Sequence, residues 1–431
     1  MRTLLHNISI IPMDGASQII EKGYIVIEND VIIAIGSGET ETAGCDKVIE
    51  GQNKVVLPGF INTHTHAAMT LLRGYADDLP LKEWLETKIW PLEDRLTPDD
   101  IYWGTMLAMI EMIKSGTTTF ADMYFSMDEV AQAVEKSGMR ACLSRGMIGA
   151  GPMSEQAITD SIELVKKWHN QGDGRITVML GPHAPYTCPP EYLSRVAELA
   201  ADLGVGVHIH VAETLGEVAD MAAQYGKTPV KILKDTGLLK NHVLAAHCVH
   251  LSEEDIALLS ESGAAVAHNP ESNMKLASGI APVPKLLAAG IPVALGTDGA
   301  SSNNDLDMMQ EMRTCALLHK VSTMDPTVLP AYKALEMATV NGAQALGLSS
   351  QIGKLQKGFK ADMTILNLHA AHQIPRYDIT ANLVYSGQAS DVETVIINGR
   401  IIMENRQFIT LDQEEIMRQA QRIAARLMKE V

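Results

Sequence analysis

Eight apolar runs rich in β-branched residues recur through the middle of this chain, each closing at a turn. They read VVLPGFINTHTH, TTTFADM, RACLSRG, ITVMLGPHA, VGVHIHVAE, VLAAHCVH, AAVAHN and PVALGTD. Helical stretches such as PPEYLSRVAELAADLG and APVPKLLAAG separate many of them. Eight strands alternating with helices over roughly 250–300 residues have the size and rhythm of a (β/α)8 TIM barrel. Residues 97–123 show the unit: Thr97 suits an N-cap, Pro98 a first helical turn, and Gly116 closes an amphipathic run before a buried strand. A doubly wound sheet would also alternate strands with helices. It would not set reactive side chains at the ends of so many separate strands.

The two ends of the chain have a different texture. ISIIP, YIVIEND and VIIAIGSG are short β-branched runs broken by Gly, Asn and Asp, and ADMTILN and VETVIINGRIIMEN repeat that character late in the sequence. One small discontinuous β-sandwich domain from residues 1–57 and 361–410 is therefore expected, with the barrel over 58–360. LDQEEIMRQAQRIAARLMKEV has helical spacing and predicts a C-terminal helix over 411–431.

Composition narrows the function classes. The 35 Lys and Arg against 52 Asp and Glu leave a net charge of −17, a field no basic patch can dominate, which argues against a nucleic-acid partner. Five cysteines, Cys45, Cys142, Cys188, Cys248 and Cys315, are scattered and form no CxxC pair. That speaks against structural disulfides and thiolate zinc sites and fits a reducing cytoplasm. The first residues, MRTLLHNISIIPMDG, read as a strand rather than a signal peptide, and no run approaches the ~18 apolar residues of a membrane span. The expectation is a cytoplasmic enzyme without membrane association, assembled as a homo-oligomer.

The chemistry sits at the strand ends. His64 and His66 close the first run, His183 follows the fourth, His210 and Glu213 end the fifth, His247 the sixth and Asp298 the eighth. In a barrel those ends converge on one mouth, where such folds react. A lone His is most often a buried or surface residue, but several at matching strand ends make a site. Residues i and i+2 of a strand share a face, so His64 and His66 can offer two imidazoles to one ion. A third nitrogen from His210 and a carboxylate from Asp298 complete an N3O set suited to zinc or ferrous iron. Spacing alone leaves His208 as an alternative to His210. The latter is nearer the strand end and three residues before Glu213, which favours it and leaves His208 a buried structural imidazole.

PGFINTHTH, HIHVAET, AAHCVH, HNPESNMKL and LGTDGASSNN resemble the motifs of the amidohydrolase superfamily, in its branch of aromatic-base deaminases. Over nearly its whole length the chain is similar to the 5′-methylthioadenosine/S-adenosylhomocysteine deaminase family. The resemblance implies His64, His66, His210 and Asp298 as metal ligands and one divalent cation, zinc or else iron. It implies Glu213 as the acid that protonates the ring nitrogen and His247 as the imidazole beside the attacking water. It also implies His183 against the purine, Glu93 on the ribose hydroxyls and Arg145 near the ribose and 5′ substituent. Some relatives carry a second Arg in the loop after SRG, whereas Gly146 to Asp160 here (GMIGAGPMSEQAITD) holds none. Trp84, with Leu81 and Leu85, would instead pack on an apolar 5′ group. Binuclear members bridge two ions with a Lys on the fourth strand. ITVMLGPHAPY has no Lys, which implies a single metal.

The implied reaction is hydrolytic. Zinc lowers the pKa of a water towards neutrality. Asp298 accepts its proton, His247 holds the hydroxide as it attacks C6 of adenine, and Glu213 delivers a proton to N1. The rival readings are guanine or pterin deamination, triazine dechlorination, and a non-catalytic barrel. A cytidine-deaminase zinc site needs HxE and PCxxC, a dinucleotide site a third glycine after Gly149-Ala150-Gly151, and an NTP site a P-loop; the sequence has none of these.

Overall fold

The computed structural model describes residues 1–15, 19–38 and 40–429. Eight parallel strands pair strictly in chain order: Phe60–Thr65, Thr117–Tyr124, Arg140–Met147, Ile176–Pro182, Val207–Val211, Val243–His247, Ala265–His268 and Val293–Leu295. These are barrel strands 1 to 8, and they occupy the eight apolar runs. They are almost wholly buried, because helices cover their outer face and their inward side chains fill the barrel.

The barrel closes by an unusual seam. Strands 8 and 1 form no regular ladder; side chains span the gap instead. Thr63 Oγ1 donates to the carbonyl of Leu295 (2.8 Å), and Asn62 bridges the Thr297 hydroxyl (2.8 Å) and backbone N–H (3.0 Å). At the top, Asp298 N–H donates to the carbonyl of His64 (2.9 Å). All of these residues are buried.

Thr97 caps the helix Pro98–Lys114 in a reciprocal box with Asp100, and Gly116 follows it at φ 91°. The expected start and stop of this helix are both present. A shorter helical segment, Leu81 to Glu93, has a π-helical turn over Leu85–Ile89 and lies across the barrel mouth, burying Trp84, Ile89 and Leu92.

The chain ends build one nine-stranded mixed sheet around a core of its own that includes Leu5, Ile8, Ile27, Val56, Ile365 and Ile396. Strand Met363–Asn367 pairs antiparallel with Lys54–Pro58, joining the two halves of the sequence. Lys54–Pro58 leads through Gly59 directly into barrel strand 1. A Cβ at Gly59 would lie 2.1 Å from the Thr118 side chain, so only glycine passes there. The C-terminal helix Gln413–Leu427 buries Ile416, Ala420, Ile423 and Leu427 against the Pro98–Lys114 helix. Among the described residues no helix is long and apolar enough to cross a membrane.

At the bottom of barrel strand 3, Arg140 forms a fully buried ion pair with Asp362, at 2.7 Å through Nε. Gly174 and Asn398 accept further bonds from the guanidinium, and Asn398 N–H donates to Asp362. Removing one partner of such a pair strands the other charge in the interior and typically costs about 3–5 kcal/mol. Arg140→Met should therefore lower the urea unfolding midpoint markedly. An unchanged midpoint would show that the pair does not fasten barrel to sheet.

Candidate active site

The C-terminal ends of strands 1, 5 and 8 bring four ligand atoms together. His64 and His66 share a face of strand 1, with His66 one residue beyond its end. The ring nitrogens of His64, His66 and His210 lie within 4.8 Å of one another, and His66 Nε2 is 3.4 Å from His210 Nε2. Asp298 Oδ1 stands 3.5 Å from His64 Nε2 and 3.3 Å from His66 Nε2. Each imidazole is oriented from behind. His66 Nδ1 donates to the carbonyl of Met123 (2.6 Å) and His210 Nδ1 to that of His183 (2.8 Å). His64 Nδ1 meets His208 Nε2 at 2.8 Å. Carbonyls only accept, so the Nε2 lone pairs of His66 and His210 face the centre.

Burial drives His64 and His210 well below the usual imidazole range, reinforced by the neighbouring histidines. Neutral rings with inward lone pairs are a donor set for a cation. His64 Nε2 is completely buried and has no hydrogen-bond partner, a costly state that a coordinated ion relieves. The residues therefore fit a divalent metal, with His64, His66, His210 and Asp298 able to hold it.

Asp298 and three further titratable groups, His247, Glu213 and Glu217, set the charge around this centre. Burial opposes the charge of Asp298, but His66, His247, the Ser272 hydroxyl (2.7 Å) and Gly299 N–H (2.8 Å) keep it below its ordinary value. His247 Nδ1 donates to Asn273 Oδ1 (2.9 Å), turning Nε2 toward Glu213 (3.8 Å) and Asp298 (4.0 Å). Burial works against the His247 cation, yet these two carboxylates hold its pKa above normal. Burial raises the Glu213 pKa, which suits a carboxyl that carries a proton. Its turn is fixed by Glu217, whose carboxylate accepts from the N–H groups of Ala212 (3.0 Å) and Glu213 (2.8 Å).

A cavity opens above these groups, lined by His66, His210, His247, Glu213 and Asp298 on its floor. Higher up, Glu93 accepts from the Tyr124 hydroxyl (2.5 Å), and burial raises its pKa to about 7. His183 lines the wall, neutral with a pKa near 4 through burial, its Nδ1 against Thr187 Oγ1 (2.9 Å). Trp84 is part of the wall and donates its indole N–H to the carbonyl of Ala76. Arg145 behaves differently. Its neighbour Gly146 lines the cavity, but its guanidinium turns to the Gly146 carbonyl and to Asp160 (3.3 Å).

Several participants were not assigned from sequence. Tyr124 is the last residue of strand 2, one place beyond TTTFADM, and the strand-end rule would have reached it. Ser272 and Asn273 lie inside HNPESNMKL. His208, read from sequence as a buried structural imidazole, is buried and backs His64, and His268 pairs with His319 through their Nε2 atoms (3.1 Å).

The amidohydrolase family model matches residues 55–402. The chain belongs to the amidohydrolase family. This amidohydrolase is 64% identical over 429 residues to a protein of Syntrophomonas wolfei subsp. wolfei named 5-methylthioadenosine/S-adenosylhomocysteine deaminase, covering 99% of this chain and 100% of that one. The expected likeness to that deaminase family is thus borne out. Among solved structures it superposes on an adenosine deaminase from Xanthomonas campestris with bound zinc, at TM-score 0.95 and 35% identity, over 99% of this chain and 98% of the other. It also superposes on an atrazine chlorohydrolase from Arthrobacter aurescens TC1 complexed with zinc, at 0.91 and 26%, over 98% and 100%.

Elemental analysis after dialysis should find one divalent ion per chain. His64→Ala and Asp298→Ala should lose it, because each opens a nearly closed donor set. Asn273→Ala should keep it. Two stoichiometric ions, or a metal-free Asn273→Ala, would overturn this arrangement.

Proposed function

We propose that this chain deaminates the adenine ring of 5′-substituted adenosines by hydrolysis, with 5′-methylthioadenosine foremost, giving the inosine analogue and ammonia. The observation that carries this is one cavity holding a carboxyl whose pKa burial raises, Glu213, and an oriented imidazole, His247, beside a candidate cation site, with a second carboxylate, Glu93, higher in the wall. Relatives named for this activity, at full-length coverage, support it. The alternative of a triazine or other base substrate leaves Glu93 without a task.

Bound at the His64, His66, His210 and Asp298 set, a divalent cation, best zinc for its N3O donors, would make water acidic near neutral pH. Asp298 Oδ2 accepts the proton of the attacking water. His247 Nε2, fixed by Asn273, orients that water toward C6. Glu213 protonates N1, so that the ring nitrogen receives the displaced electron pair. The proton held by Asp298 then passes to the C6 amino group, the C6–N bond breaks to release ammonia, and the C6 hydroxyl proton returns to Glu213 as C6 becomes the carbonyl of hypoxanthine. His183 holds the purine and Glu93 accepts from the ribose 2′ and 3′ hydroxyls. Trp84 packs on the 5′ group, with Arg145 beyond it. We place the reaction in the cytoplasm, in keeping with the scattered free cysteines, in a homo-oligomer acting on small nucleosides.

Glu213→Gln should retain the metal and lose ~10²–10⁴-fold in kcat, the usual contribution of a general acid. A variant within a few-fold of the parent would remove Glu213 from the reaction. A carboxylate that grips a diol must be ionised, and the Glu93 pKa is raised to about 7. The preference for adenosine over 2′-deoxyadenosine should therefore grow as pH rises through 7 and fade below it. A pH-independent ratio would remove Glu93 from ribose binding. Activity on 5′-methylthioadenosine should at least equal that on S-adenosylhomocysteine, and free adenine should be poor. A preference for free bases would end the nucleoside reading.

A further inference from the structure

Beside the cavity, Arg145 is already engaged by a carboxylate. Arg145, at the end of barrel strand 3, points Nη2 at Asp160 Oδ2 (3.3 Å). Its Nη1 donates to the Gly146 carbonyl, and its guanidinium lies over the Phe125 ring, 6.0 Å from the centroid. Asp160 stands on the helix Ser154–Trp168 and is itself fixed, since Gln156 one turn earlier donates to its other oxygen (2.7 Å). Arg195 pairs with both oxygens of Glu155, at 2.7 and 2.9 Å. Phe125 and Ile148 line the cavity. Phe125 follows Tyr124, the residue that donates to Glu93, so this corner adjoins the end of the cavity where the sugar is proposed to sit.

We propose that Asp160 is a specificity-determining residue that cancels the charge of Arg145 and so tunes this end of the site for neutral, apolar 5′ groups over carboxylate-bearing ones. The inference rests on the functional reading above and extends it to substrate selection. The stretch from Gly146 to Asp160 lacks a second Arg and ends on the carboxylate that occupies the first. An incoming carboxylate must compete with Asp160 for the same guanidinium. An alkylthio group need only cover Phe125, Ile148 and Trp84. The pair is partly exposed, so its influence has the scale of one screened charge–charge interaction.

The test is the ratio of kcat/KM for S-adenosylhomocysteine to that for 5′-methylthioadenosine, measured with metal-loaded enzyme. Asp160→Asn keeps the shape of the side chain and removes its charge. The ratio should rise on the order of threefold to tenfold, and less at high salt. Asp160→Ser should shift it the same way, which guards against a defect peculiar to the amide. In the Arg145→Met background the Asp160→Asn shift should vanish. An unchanged ratio in active Asp160→Asn, or an equal rise without Arg145, overturns the proposal alone. If the parent enzyme deaminates neither nucleoside, the functional reading falls and this inference with it.

Discussion

The bond from Asp298 N–H to the carbonyl of His64 holds the site together. It joins the last barrel strand to the first and sets a carboxylate beside two imidazoles in the same stroke. A regular ladder at this seam would have fixed the strands but left no freedom to aim Asp298 inward. The seam uses Asn62, Thr63 and Thr297 side chains instead, and their bonds lie in the dry interior where they exchange with no water.

The backbone around the site is strained in a consistent way. Ala212, His247, Cys248 and Asp298 all adopt positive φ, at 50°, 69°, 50° and 62°, although none is glycine. Each such residue costs about 1–3 kcal/mol, and it persists only where its surroundings over-determine it. Here they do. Glu217 takes two backbone N–H groups at the Ala212 turn, and Val249 and His250 both donate to the Ala212 carbonyl. Strands 5, 6 and 8 thus each leave the barrel by a left-handed step that tips a reactive side chain over the centre. Buried support of this kind limits how far the ligands can drift when no ion is held.

Much of this was legible in the sequence because the relevant signals are local. Strand rhythm, the Thr97 cap and reactive residues at strand ends all lie within a few residues of their consequence. His64 and His66 needed only the two-residue repeat of a strand. His208 against His210 could not be resolved that way, since both lie on one face and only the packing shows which ring backs His64. Tyr124 escaped because a tyrosine at a strand end reads as core until Glu93 arrives from another segment. The pairing of Arg145 with Asp160 was invisible for a related reason. A missing second arginine can be read from a string of letters, but a neutralised first one needs the helix that carries Asp160 to fold back against strand 3. That both ends share one discontinuous β domain was legible from its two β-rich pieces, while its pairing order depends on contacts across the whole chain.

That sheet has a consequence for synthesis on the ribosome. Strand Lys54–Pro58 waits for Met363–Asn367 before its second edge is covered. At about 5–20 residues per second, the roughly 300 intervening residues take on the order of 15–60 s to appear. Through that interval the nascent chain carries an open, apolar strand edge immediately ahead of the strand that bears His64. An unpaired edge is a template for wrong pairing. Strand Arg2–Ile10, which emerges early and pairs with Lys47–Glu50 as well, gives the waiting segment a native neighbour on one side from the start.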